Sequence, residues 1–119
     1  MRLSKKGINK NLEKEIFEML YQLIADLKKP EEVKIFLEDA LGKNGLVALA
    51  KRVAIAYYLN HKRSYSDIRE NLKVSSATIS AVDRLRKSKG FSLAIQKIEA
   101  DKWASLWSKR IENLFKRKN

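Results

Sequence analysis

Hydrophobic residues recur at intervals of three and four along the chain rather than two, a rhythm that predicts helices. In "NLEKEIFEMLYQLIADLKK", Leu12, Ile16, Met19, Leu20, Leu23, Ile24 and Leu27 fall on one broad stripe, as in an amphipathic helix. Pro30, the sole proline, suits the first turn of a second helix, with Glu31 and Glu32 at its positive end. That helix, "PEEVKIFLEDAL", is expected to bury Val33, Phe36, Leu37 and Leu41 and to end at Gly42. A third, from about Gly45 to Asn60, is apolar on most faces and reads as the central helix.

The second half is more closely punctuated. "SYSD" has the form of a capping box: the Ser64 hydroxyl accepts from the Asp67 amide, and the Asp67 carboxylate reaches back. A short helix then runs to Leu72 with Ile68 and Leu72 on its buried face. "KVS" makes a tight connection, Val74 facing inward and Ser75 offering another N-cap. The next helix, about 76–88, points Ile79, Val82 and Leu85 inward, and Gly90 breaks it. A last helix from Phe91 carries Ile95, Ile98, Trp103, Leu106, Trp107, Ile111, Leu114 and Phe115 on one stripe, with "FKRKN" as a basic tail. The expected fold is all-α, about six helices in a single domain over 1–119. Within it, 12–60 holds the larger helices, 64–89 the two short ones, and 91–119 the carboxyl-terminal helix and tail.

Composition narrows the chemistry. With 45% hydrophobic residues in 119, the chain is suited to one modest core. The absence of cysteine excludes disulfides and thiolate metal sites. His61, in "NHKRS", reads as a solvated loop residue, and Glu31/Glu32 and Glu38/Asp39 sit on ordinary helix faces. Neither a Ser/His/Asp set nor a Gly-rich phosphate loop is present, so an enzyme is not expected and no cofactor is called for. The net charge of +12 is lopsided: residues 1–60 carry 11 Lys/Arg against 8 Asp/Glu, and residues 61–119 carry 15 against 6. Such polarity favours a polyanionic partner. The segment "LVALAKRVAIAYYL" is too short for a bilayer, and "MRLSKKGINK" lacks the apolar stretch of a secretory signal. A cytoplasmic protein without a membrane partner is therefore expected.

Ser75, Ser76, Ala77, Thr78 and Ser80 crowd the start of the helix at 76–88. Small polar side chains add little to a core, but they let a helix press close to another surface. Two short helices joined by a tight turn, the second opening with slim residues, form a helix-turn-helix. Hydroxyls there can meet base edges of double-stranded DNA, and Ala77 or the Thr78 methyl can meet a thymine methyl. Lys62, Arg63, Arg69, Arg84, Arg86, Lys87 and Lys89 flank the patch, suited to the phosphate backbone.

The stretch "LAKRVAIAYYLNHKRSYSDIRENLKVSSATISAVDRLRK", residues 49–87, resembles the core of the Trp repressor-like family. Carrying the likeness are Ser64 to Ile68 as S-x-x-x-I and Leu72 to Ser80 as L-x-V-S-x-A-T-I-S, after "KNGLVALAKRVAIAYYL"; a weaker match through "KKPEEVKIFLEDAL" extends it over roughly 12–90. It is closer to the Trp repressor-related branch than to the tryptophan-binding repressor. The resemblance implies an intertwined homodimer acting as a transcriptional regulator, with 12–60 as dimerisation helices. It also implies DNA contacts at Ser66, Arg69, Ser75, Ser76, Ala77, Ser80 and Lys87. Arg52 matches one arginine of the family's tryptophan clamp and is the candidate for an effector pocket. The second arginine's position is Ala81, followed by Val82, which argues against tryptophan as corepressor and leaves any effector unnamed.

Two other readings stand beside this one. The charge alone suits a basic RNA-binding or structural nucleic-acid-binding protein, although 61–89 offers only Tyr65 for stacking on unpaired bases. The same helix-turn-helix also serves DNA docking in transposase-like or replication-initiator-like systems. Trp103 and Trp107 read as packing residues of the last helix; a basic amphipathic helix on an anionic membrane is their minor alternative.

Overall fold

The computed structural model describes residues 9–100 and 104–115. The described residues form six α-helices joined by short turns: α1 (Lys10–Asp26), α2 (Pro30–Asn60), α3 (Tyr65–Leu72), α4 (Ser76–Leu85), α5 (Lys89–Ala100) and α6 (Ala104–Leu114). The all-α expectation holds. It divides into two compact units, residues 1–46 and 47–119.

In the first unit, α1 opens on Asn9, whose side-chain Oδ1 accepts from the amides of Asn11 at 2.8 Å and Leu12 at 3.4 Å. Its apolar stripe forms as the spacing requires, yet no α1 residue is buried. Leu12 is 55% and Met19 67% exposed, and Ile16, Leu23 and Ile24 are exposed too. The run from Pro30 departs from helical geometry at Gly42, at φ 73° and ψ 166°, a region essentially restricted to glycine. The expected helix end at Gly42 is thus this break. The residues expected to be buried just before it are not: Val33, Phe36 and Leu37 are half-buried and Leu41 is exposed.

The second unit holds the core. Ile55, Ala56, Tyr57 and Tyr58 of α2 are buried together with Ile68, Ile79, Val82, Ile95 and Phe115. Each short helix supplies what its period dictates: Ile68 from α3, Ile79 and Val82 from α4. Val74 in the connecting turn packs against the same cluster.

Three expectations for this unit need correction. The helix from Ser76 ends at Leu85 rather than near 88, and Leu85 is 43% exposed instead of inward-facing. The chain turns where the Ser88 hydroxyl donates to the Leu85 carbonyl at 2.6 Å and the Ser88 amide to the same oxygen at 2.9 Å. Gly90 therefore lies inside α5, and the expected single carboxyl-terminal helix is two, α5 and α6. Trp107 does not pack; it is 48% exposed with the Arg110 guanidinium 5.4 Å over its ring. Trp103 and the basic tail lie outside the described residues.

Returning to α2, α6 is held by long-range contacts that no local pattern announces. Tyr57 and Ser108 share a 2.7 Å hydrogen bond, and the Phe115 ring meets Tyr58 edge-on at 4.5 Å. Arg63 pairs with Asp67 at 3.3 Å and with Glu112, and lies 4.5 Å from the centre of the Phe115 ring. His61 is not merely a solvated loop residue: its Nε2 is 2.6 Å from the Glu99 carboxylate, and its ring packs 4.4 Å from Tyr57.

Candidate nucleic-acid interface

The α3–turn–α4 unit is built from two caps and a left-handed turn. Ser64 caps α3 by accepting from the Asp67 amide at 3.1 Å. The Asp67 carboxylate, expected to reach back to the Ser64 amide, accepts instead from Arg63. At Lys73 the chain adopts φ 56° and ψ 55°, and its amide donates to the Arg69 carbonyl at 3.0 Å, closing α3. This conformation costs a non-glycine residue about 1–2 kcal/mol. Lys51 of α2 donates to the Lys73 carbonyl at 3.4 Å, which holds the turn. Ser75 then caps α4, accepting from the Thr78 amide at 3.1 Å, and its hydroxyl also meets that of Thr78 at 3.0 Å.

Beneath the turn, Ile68, Ile79 and Val82 are almost wholly buried with Ile55. Above it, Ser75, Ser76, Ala77 and Thr78 are exposed and Ser80 is half-buried. The slim opening of α4 is therefore an outward face. Ser75 and Thr78 spend hydroxyls on the cap, whereas Ser76 and Ser80 are engaged by cations. Arg69 donates to Ser76 at 2.8 Å, and Arg84 to Ser80 at 3.0 Å. Both arginines are exposed, as is Lys87; Ser66 is half-buried on the first turn of α3.

One pair that braces the two helices is invisible in the sequence pattern. The Tyr65 hydroxyl on α3 donates to the Asp83 carboxylate on α4 at 2.7 Å, and Arg86 donates to the other carboxylate oxygen at 3.1 Å. The hydrogen bond to Asp83 holds the Tyr65 hydroxyl above the ordinary tyrosine range, with burial adding to it. Donation from Tyr65, then from Arg86, holds the Asp83 carboxyl below its usual value against an opposing effect of burial. Tyr65 is thus a brace within the fold rather than a stacking platform for unpaired bases.

The family described as Trp repressor protein matches residues 15–98. This chain belongs to that family. Neither a curated protein nor a solved structure matches it. The Trp repressor family is a family of regulators rather than of enzymes, and membership in it suggests a DNA-binding regulator. Among the described residues, no group of three or more His, Cys, Asp or Glu could hold a metal ion. No helix among the described residues is long and apolar enough to cross a membrane.

Within this Trp repressor-family chain, Arg52 is exposed on α2 and Ala81 is half-buried on α4. Val82, beside it, is 1% exposed and belongs to the core with Ile55, Ile68 and Ile79. Its side chain fills the interior and does not crowd the space beside Ala81.

Proposed function

We propose that the protein is a sequence-specific regulator that reads double-stranded DNA with the amino end of α4 in the major groove. The observation carrying this reading is the open face formed by Ser76, Ala77 and Ser80, with Arg69 and Arg84 hydrogen-bonded at its two ends. A helix with short side chains over its first turns approaches base edges closely. The guanidinium groups, already held at the rim, lie where strand phosphates pass. Ser66 and Lys87 extend the same rim.

The protein acts in this reading as an intertwined homodimer. Support comes from the apolar stripe of α1, whose Leu12, Ile16, Met19, Leu23 and Ile24 are all exposed within one chain. Apolar surface gathered in this way calls for a partner. Two copies present two α4 helices to half-sites about 34 Å apart. Tryptophan is not the effector here, because an indole between Arg52 and Ala81 has a cationic plane on one side only.

Repeated selection from a randomised duplex pool, with and without free tryptophan, tests the reading. Enrichment of a two-fold symmetric site, unaffected by tryptophan, is the expected result. Failure to enrich any palindrome, or a preference for single-stranded RNA at matched salt, overturns it.

A further inference from the structure

Beyond the groove-facing surface, the chain forms a cleft of about 280 Å³ where the end of α4 meets α5. Its lining is Asn60, Arg86, Lys87, Ser92, Ile95 and Gln96. The composition is selective. There are two cations, three neutral hydrogen-bonding side chains, one buried isoleucine and no carboxylate. Asp83, the carboxylate bonded to Arg86 of the lining, has its oxygens taken by Tyr65 and Arg86. Counting Asp83 against Arg86 still leaves the charge of Lys87 in excess. Arg52 is not part of the cleft.

We propose that this cleft binds a small organic anion bearing a phosphate or carboxylate, and that its occupation weakens duplex binding. Arg86 and Lys87 take the acidic group, Asn60, Ser92 and Gln96 bond its polar substituents, and Ile95 forms an apolar floor. The second half of the proposal rests on the DNA-binding reading above. Lys87 lines the cleft and, in that reading, also belongs to the rim that meets the strands, so an anion beside it opposes the phosphate it would otherwise attract. The coupling is reciprocal: duplex must weaken anion binding by the same factor.

The test is a titration of the full chain with inorganic phosphate and with citrate, against chloride at matched ionic strength, followed by amide resonances. Saturable shifts confined to the side-chain amides of Asn60 and Gln96 and the backbone of 86–96 are expected for at least one of the two anions. Gln96→Glu places a like charge in the cleft and weakens binding about tenfold, the scale of one repulsion at a few ångströms. Lys87→Gln, which leaves the Asp83–Arg86 pair intact, gives a comparable loss. Asn113→Asp, an equal charge change on α6 outside the lining, leaves binding unaltered. In a second arm the effective anion lowers the duplex affinity of the parent chain more than that of Gln96→Glu. Shifts spread over the basic surface, or equal behaviour of Gln96→Glu and Asn113→Asp, overturn the site. An equal loss of duplex affinity in parent and Gln96→Glu overturns the coupling. Absence of duplex binding altogether counts against the DNA-binding reading alone, since the first arm uses no DNA.

Discussion

Arg69 of α3 donates to the hydroxyl of Ser76, the first residue of α4, at 2.8 Å across the Lys73–Ser75 turn. The bond fixes a cation beside the slimmest part of the candidate recognition helix before any DNA arrives. Arg84 does the same from the other end through Ser80 at 3.0 Å. Preorganisation of this kind lowers the ordering cost of binding, and it separates two roles: the arginines grip strands, and the short side chains between them read.

Arg69→Ala is accordingly expected to weaken binding to all duplexes alike and to flatten the salt dependence by about one unit of slope. Ser80→Val is expected to alter which sequences are preferred. Fluorescence anisotropy over a salt series and a set of single-base variants distinguishes the two. Identical behaviour of the two substitutions contradicts the division.

Tyr65→Phe removes the brace between α3 and α4. The raised Tyr65 value means that its contribution is complete below the ordinary tyrosine value of 10.0 and is lost as pH climbs past it. The lowered Asp83 value means that its contribution is present above 3.8 and is lost as pH falls through the depressed value. Thermal melts should therefore show a gap between parent and Tyr65→Phe that is level across the neutral range and narrows toward both extremes. A gap that widens in alkali would contradict this pairing.

Arg63→Ala unfastens α6, because one guanidinium serves Asp67, Glu112 and the face of Phe115. A loss on the order of 1–2 kcal/mol is expected for these partly exposed pairs together with the cation–π contact. Hydrogen exchange should rise first in α6 and leave Ile68 and Ile79 protected; uniform loss of protection across α3 and α4 is the contrary outcome.

Leu23→Glu tests the dimer. Set in the exposed stripe of α1, a carboxylate costs little in an isolated chain, whereas at an apolar seam it is left desolvated and unpaired. Sedimentation equilibrium is expected to give the mass of one 13.8 kDa chain for the variant and twice that for the parent. A parent chain that sediments as a monomer refutes the dimer.

Much of the fold was legible because it depends on neighbours along the chain. Ser64 and Ser75 cap as their positions dictate, and the three-to-four spacing puts Ile68, Ile79 and Val82 in the core. The same local logic misled at Gly90, since glycine ends a helix only where the backbone must turn left-handed. Here the Ser88–Leu85 hydrogen bonds had already turned the chain two residues earlier. A serine immediately before a new helix was the signal available in the sequence.

By itself, the sequence determined the all-α class, the Ser64 and Ser75 caps, the inward positions of Ile68, Ile79 and Val82 and the charge around them, because periodicity and capping act within a turn or two. Only the tertiary structure decided that Tyr65 meets Asp83, that Arg63 meets Glu112, and that His61 meets Glu99, at separations of 18, 49 and 38 residues. It also decided that α4 ends at Leu85 and that the α1 stripe stays exposed within one chain. Such pairings depend on how packed helices bring distant side chains together, and no spacing along the chain encodes that distance.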